Sequence, residues 1–201
     1  MFKAVLFDVD GVVFKPRDKY FSQRLREEGK DLSEDKVSQF FKNEYKKIVV
    51  GKASLKQELK KYLKDWNWDG TVEELLNYWF TYEDKINQDM IKFAKGLRES
   101  GIKCYLASDH SRYRTEDFMN RVGLSKYFDG VFSSGYLGYT KEEEGFFEVV
   151  LEKLGLQEEQ VMFVDDDPEN VAVASKVGIR AIHFENKQDS LEQLKASVLS
   201  E

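Results

Sequence analysis

The chain of 201 residues contains one cysteine, two prolines and two histidines, and it has no long run of apolar residues. Cys104 alone cannot form an intramolecular disulfide, and one thiol with two imidazoles is too few soft ligands for a structural zinc site. A membrane span needs about 18 consecutive apolar residues, so we expect no membrane partner. Asp8 comes too early for a secretory signal, which favours a cytoplasmic location. Any bound metal is therefore expected to be held by oxygen.

The charge is negative overall and unevenly distributed. With 31 basic and 37 acidic side chains the formal net charge is -6, which argues against a nucleic-acid partner. Residues 15–86 carry a net charge of +2, whereas the rest of the chain carries -8. The difference indicates two modules of unlike composition. We expect a monomer or a weak homodimer.

Short apolar runs alternate with segments of helical periodicity outside residues 15–86. The runs are 4–7, 102–107, 130–132, 161–164 and 179–184. Between them apolar residues recur three or four positions apart, as in Phe147, Val150 and Leu154. This alternation predicts an α/β fold in which a Rossmann-like parallel sheet is flanked by helices on both faces.

Residues 15–86 show helical periodicity without a strand-like run. We therefore predict two domains, a Rossmann-like core of residues 1–14 and 87–201 and an inserted all-helical cap of residues 15–86. The cap is rich in aromatic residues, and we expect most of them to form its own core while some shape a substrate pocket. The residues concerned are Trp66, Trp68, Tyr78, Trp79 and Tyr82.

Polar residues follow three of the apolar runs. These segments are Asp8-Val9-Asp10-Gly11, Ser108-Asp109-His110 and Asp165-Asp166-Asp167. Ligands of open parallel sheets bind beyond the carboxyl ends of the strands, so these segments are expected to share one edge. Clustered carboxylates repel one another unless their pKa values rise or a cation neutralises them. All-oxygen ligation suits Mg²⁺, which is the cofactor we predict.

The pattern resembles the haloacid dehalogenase superfamily, in particular its phosphatase branch with a small helical cap. The first family motif, D-x-D-G after apolar residues, matches Asp8 to Gly11, and the fourth, paired acids after apolar residues, matches Asp165 and Asp166. The resemblance implies that Asp8 is the nucleophile that forms an aspartyl-phosphate, and that Asp10 is the general acid and base. It also implies that Asp8, Asp10, Asp165 and Asp166 form the metal site, with Asp166 as a direct ligand.

Two shorter motifs complete the resemblance. Ser108 matches the second motif, which implies that its hydroxyl holds the phosphoryl group, and Asp109 is assigned to the same phosphate-binding set. Lys141 matches the third motif, although many relatives have Pro at the next position where this chain has Glu142. His110, close after Ser108, could line the site, but we favour its interpretation as a helix-start or surface residue.

Three functions remain open. The first is a Mg²⁺-dependent phosphatase for a small, sugar-phosphate-like metabolite, because a cap of this size can close over a small substrate but would obstruct a phosphoprotein. Asp10 favours ester hydrolysis, since a departing alkoxide needs a proton and a halide does not. The second is a phosphomutase, which needs cap residues that hold a bisphosphate; the sequence shows no distinctive motif for one. The third is a non-catalytic partner-binding protein, in which the intact acids would serve no purpose.

Overall fold

The computed structural model describes residues 2–29, 34–187 and 189–199, and its centre is a sheet of five parallel strands in the order β3-β2-β1-β4-β5. The strands are β1 Ala4–Asp8, β2 Lys103–Ser108, β3 Gly130–Ser133, β4 Val161–Asp165 and β5 Arg180–His183. Each overlaps one of the five predicted apolar runs. The predicted Rossmann-like α/β fold is confirmed.

Among the described residues, five helices lie between β1 and the helix that precedes β2. They are α1 Phe21–Glu27, α2 Glu34–Phe40, α3 Lys46–Val49, α4 Leu55–Lys60 and α5 Val72–Glu83, with a π-helical segment Phe41–Tyr45 joining α2 to α3. All five fall within the predicted insertion of residues 15–86. Helix α5 begins with a capping box, in which the Thr71 hydroxyl accepts from the backbone N–H of Glu74 and the Glu74 carboxylate accepts from that of Thr71.

In the rest of the chain that the structure describes, there are six further helices. They are α6 Gln88–Glu99, α7 Arg112–Asn120, α8 Ser134–Leu137, α9 Glu144–Leu154, α10 Pro168–Lys176 and α11 Ser190–Leu199, with 3₁₀ turns at Leu124–Lys126 and Glu158–Gln160. Asp167 caps α10, because its Oδ1 accepts from the backbone N–H of Glu169 at 2.8 Å. Within the described part of the chain, no helix combines the length and the apolar character needed to cross a bilayer.

The side chains of β1 divide the core into two halves. Val5 and Phe7 point to one face, where they join a cluster with α6, α7 and α11, while Ala4 and Leu6 point to the other, with α9 and α10. All four side chains are fully buried. Because successive residues of a strand face opposite sides of the sheet, a central strand covered on both faces must be apolar throughout.

The cap has a separate core made largely of aromatic rings. Phe21 and Trp79 stack with their centroids 4.5 Å apart, and Phe40 meets Trp66 edge to face at 5.6 Å. Trp66 and Trp79 are buried in this cluster, while Trp68, Tyr78 and Tyr82 pack against it with partial exposure. Two of the five predicted aromatics are therefore buried in the cap core and the other three pack around it, and Trp79 also faces a cavity described below.

The two chain segments that join cap and core run side by side. The backbone N–H of Lys15 donates to the carbonyl of Lys85 at 2.7 Å, and the N–H of Asn87 donates to the carbonyl of Val13 at 2.8 Å. The cap is therefore attached through a paired linker directly after the β1 motif, which brings it over the carboxyl edge of the sheet.

Candidate active site

The carboxyl ends of β1, β2 and β4 place three predicted site residues side by side. Asp8 ends β1, Ser108 ends β2 and Asp165 ends β4. The parallel register fixes this alignment, since Asp8 pairs with Ala107 and the preceding Phe7 pairs with Val164. The three polar residues are buried, with 6%, 1% and 0% of their surface exposed. Such burial is stable only when the polar groups have partners.

Lys141 supplies the cation that this edge needs. Its Nζ donates to Oδ1 of Asp8 at 2.5 Å and to Oδ2 of Asp165 at 2.7 Å, and the residue is 3% exposed. Burial alone would lower the pKa of Lys141, but the carboxylates of Asp8, Asp165 and Asp109 together raise it well above its ordinary value. The ammonium group therefore stays charged and bridges β1 and β4.

The segment before α9 holds Lys141 in place through two carboxylates. The backbone N–H of Lys141 donates to Oδ1 and Oδ2 of Asp109 at 3.1 and 3.2 Å, and the N–H of Thr140 donates to Oε2 of Glu143 at 2.9 Å. Asp109 was assigned to the phosphate-binding set; here its carboxylate faces the Lys141 backbone. Burial raises its pKa, an effect that Lys141 partly offsets. Glu143 therefore stabilises the turn that contains Lys141, and this turn forms without a proline after the lysine.

Asp8, Asp165 and Asp166 form a cluster of carboxylates in which one oxygen of each lies within 4.8 Å of the others. Both oxygens of Asp165 are already used, since Oδ1 accepts from the backbone N–H of Asp167 at 2.7 Å and Oδ2 from Lys141. Burial raises the pKa of Asp8 and that of Asp166, and the charge of Asp165 raises both further. A hard divalent cation would relieve this repulsion, and an all-oxygen donor set fits Mg²⁺.

Gly11 makes room for the carboxylate of Asp166. Its φ is +78°, and a Cβ built on it would lie 1.9 Å from Oδ2 of Asp166. Its carbonyl accepts from Nδ2 of Asn186 at 2.5 Å, which fixes the turn. The glycine of the D-x-D-G motif is therefore required both by its left-handed backbone and by this close approach.

Asp10 lies outside the three-carboxylate cluster. Its carboxylate pairs with Arg17, and Nε2 of His110 lies 3.6 Å from Oδ2. Burial works to raise the pKa of Asp10, but His110, Arg17 and Arg114 outweigh it and hold the pKa well below its ordinary value. Asp10 was assigned to the metal site as well as to acid–base chemistry; its carboxylate faces the cap linker instead.

Asn170 is a site residue that sequence reasoning missed, and His110 is one that it named only as the less favoured alternative. His110 lies just before the start of α7, but it also faces the site, because its Nδ1 hydrogen-bonds the Ser108 hydroxyl and its Nε2 faces Asp10. Its position two residues after the β2 end was the available signal. Asn170 is buried on α10, where its Nδ2 lies 3.3 Å from Oδ2 of Asp165.

A cavity of about 560 Å³ lies between cap and core above these residues. Its core side includes Asp10, Asp109 and His110, and its cap side is mainly aromatic. Two charged residues at the ends of the insertion also line it, Arg17 and Glu83. No motif in the sequence singled out either of them. The cavity joins the acidic edge of the sheet to the cap, which is the arrangement that a closed site for a small molecule requires.

A sequence model of the haloacid dehalogenase-like hydrolase family matches residues 2–178. The chain therefore belongs to this family. It is 26% identical over 204 residues to a D-ribitol-5-phosphate phosphatase of Bacteroides thetaiotaomicron, which covers 96% of this chain and 97% of that protein. It is 26% identical over 187 residues to a phosphorylated carbohydrates phosphatase of Thermotoga maritima, with 90% and 84% covered.

The fold is also that of solved family members. A haloacid dehalogenase family enzyme from Bacteroides thetaiotaomicron, in complex with magnesium and inorganic phosphate, aligns with a TM-score of 0.77 at 18% identity, covering 91% of this chain and 94% of the other. Some curated relatives match over a shorter part of their length. The chain covers 18% of a drimenol cyclase of Aspergillus calidoustus and 43% of a GMP/IMP nucleotidase of Escherichia coli.

Proposed function

We propose that this protein is a Mg²⁺-dependent phosphatase that hydrolyses the phosphate monoester of a small, sugar-like metabolite through an aspartyl-phosphate. One observation carries the proposal: the Lys141 ammonium group bridges Asp8 and Asp165 beside a third carboxylate, and the neighbouring Asp10, Asp109 and His110 line a cavity. A carboxylate can attack a phosphate dianion only when nearby positive charge offsets their repulsion. The site holds one such charge and the ligands for a second.

Each residue has a role that its position supports. Asp8 attacks phosphorus, while Lys141 and the hydroxyl of Ser108 hold oxygens of the transferring group. Mg²⁺ bound by Asp8 and Asp166 would neutralise charge that develops on that group. Asp165 is committed to Lys141 and to the backbone of α10, so it supports the site through those contacts.

Asp10 is the acid and base of the proposed reaction. Its side chain lines the cavity beside His110, on the side from which the alcohol would leave. In the first step Asp10 must carry a proton, so its carboxylate has to leave its contacts with His110 and Arg17, which lower its pKa in this structure. It gives that proton to the leaving oxygen, and in the second step it takes a proton from the water that attacks the aspartyl-phosphate. Asp109 positions Lys141 through the backbone N–H of that residue.

The charges of the cavity favour a phosphatase over a phosphomutase. A mutase must bind a second phosphate, which requires an available cation on the cap side. Among the described residues that line the cavity, both guanidinium groups already have carboxylate partners: Arg17 pairs with Asp10, and Arg114 pairs with Asp84 and Asp117. The names of the two relatives that cover most of the chain support the same choice, since both are phosphatases of phosphorylated sugars or polyols.

The test is hydrolysis of a panel of phosphorylated metabolites, followed as phosphate release, with Mg²⁺ and with excess chelator. We expect metal-dependent turnover of at least one sugar or polyol monophosphate, and weaker support from Ca²⁺, which takes more ligands at longer distances. Full activity in chelator would overturn the metal assignment. A product that retains its phosphate at a new position would show a mutase.

A further inference from the structure

Glu83 is a buried carboxylate that the proposed chemistry does not use. It ends α5, is 9% exposed and lines the cavity. The Nε of Arg17 lies 3.9 Å from its Oε1, which is beyond hydrogen-bond distance. Burial raises the pKa of Glu83 to about 7, because the nearby cations compensate only part of its lost hydration. Among the described residues, this carboxylate accepts no side-chain hydrogen bond of normal geometry.

Trp79 adds a donor next to this acceptor. It lies four residues before Glu83, so both side chains share one face of α5. Trp79 is 5% exposed and lines the same cavity, and its indole Nε1 makes no hydrogen bond within the described residues. The Nε1 of Trp79 lies close enough to Glu83 to help lower the pKa of that carboxyl group. The two groups nevertheless form no hydrogen bond of normal geometry. A buried donor without a partner is costly unless a ligand supplies one.

The other walls of the cavity indicate what that ligand is. Phe41 and Tyr45 also line the cavity, and aromatic rings pack well against C–H groups. Arg17 and Arg114 are engaged by carboxylates, so a second anionic group would find no available cation among the described residues here. The walls therefore suit a neutral group that carries both C–H and O–H groups.

We propose that Glu83 and the Nε1 of Trp79 form a subsite that hydrogen-bonds the hydroxyl groups of a neutral polyol or sugar leaving group. The inference rests on the proposed phosphatase function and names its substrate class. Both residues are specificity-determining residues, since they bind the alcohol and take no part in phosphoryl transfer. Hydroxyl groups complete the hydrogen bonds of Glu83 and Trp79, whereas an alkyl chain of the same length leaves them unpaired.

The experiment compares two substrates of equal chain length, xylitol 5-phosphate and n-pentyl phosphate, by kcat/KM. In the unmodified protein we expect a strong preference for the polyol. Glu83→Leu should reduce that preference about 10- to 100-fold, as expected for a lost hydrogen bond to a charged group. Trp79→Phe keeps the ring and removes Nε1, so it should reduce the preference about 3- to 10-fold. Glu73→Leu, on the exposed side of the same helix, is the matched control.

The outcomes separate this inference from the proposed function. If the unmodified protein hydrolyses both esters at equal rates, the phosphatase stands and the subsite is overturned. The subsite is also overturned if Glu83→Leu leaves the preference for the polyol phosphate unchanged. If neither ester is hydrolysed and the metabolite panel also shows no turnover, the proposed phosphatase function fails. If the panel shows turnover of other monoesters but neither of these two esters is hydrolysed, the phosphatase function stands and the subsite fails. Glu83→Gln, which keeps the side-chain volume, replaces Glu83→Leu if the latter does not fold, and it should reduce the preference by a smaller factor.

Discussion

The core and the cap hold their polar groups by different physical means. In the core, Asp8, Asp165 and Lys141 are buried together, and each neutralises or hydrogen-bonds another. Within the described part of the chain, the cavity side of the cap instead buries Glu83 without a close hydrogen-bonded cation and the Nε1 of Trp79 without a hydrogen bond of normal geometry. The core groups are complete before any substrate arrives, whereas those of the cap lack partners. This difference suggests that chemistry is built into the core and recognition into the cap.

The largest expected effect comes from removing the nucleophile. Asp8→Asn should lower kcat at least about 10⁴-fold while leaving the fold intact, because the amide keeps the volume but cannot attack phosphorus. Steady-state kinetics and circular dichroism test this, with Asp89→Asn on the exposed face of α6 as the control. A folded Asp8→Asn protein with unmodified activity would remove Asp8 from the mechanism.

Lys141→Met should lower kcat about 10³-fold, since one preorganised charge on the transferring group is lost. The substitution also leaves Asp8 and Asp165 buried without their cation, so without metal the protein should lose about 3–5 kcal/mol of stability. Mg²⁺ should recover part of that loss. Adding Mg²⁺ should therefore raise the melting temperature of Lys141→Met by more than that of the unmodified protein. The exposed Lys153→Met is the control, and equal metal responses in both variants would contradict the prediction.

The buried Glu83 on the cap side should make the stability of the protein depend on pH. Its pKa is about 7 in the folded protein against an ordinary value of 4.5, so the folded state binds the proton more tightly than the unfolded chain. Stability therefore falls as pH rises from about 4.5 through about 7, by about 3 kcal/mol in total. Glu83→Gln should recover that amount at pH 8 and nothing at pH 4, measured by urea unfolding. If Glu83→Gln gains the same free energy of unfolding at both pH values, the ionisation of Glu83 is not the cause. The control is Glu73→Gln.

Gly51 tests the contact between the two regions, with the smallest expected effect. A Cβ at Gly51 would lie 2.3 Å from the carbonyl oxygen of Gly135 in α8, so Gly51→Ala should hinder closure of the cap and lower kcat/KM about 10-fold. Gly29 is a matched control in the cap, since its φ is +85° and a Cβ there has no neighbour within 4 Å among the described residues. Both variants should lose about 1 kcal/mol of stability from backbone strain. Gly51→Ala should lose more, because its Cβ also meets a backbone carbonyl, and only Gly51→Ala should lose activity.

The sequence by itself determined the sheet, its helices and the acids at its carboxyl edge. Each apolar run and each motif is a local pattern, and the alignment of parallel strands brings Asp8 and Asp165 together without further information. The capping of α10 by Asp167 is equally local, because it depends only on neighbouring residues.

The tertiary structure decided how the site is supported and how it meets the cap. The contact of Asp109 with the Lys141 backbone joins residues 32 positions apart, and His110 reaches Asp10 only because β1 and β2 are neighbours. Arg17 and Glu83 enter the cavity because the two linkers of the insertion pair with each other. None of these contacts leaves a periodic signal in the sequence, because each depends on how separate elements pack against one another.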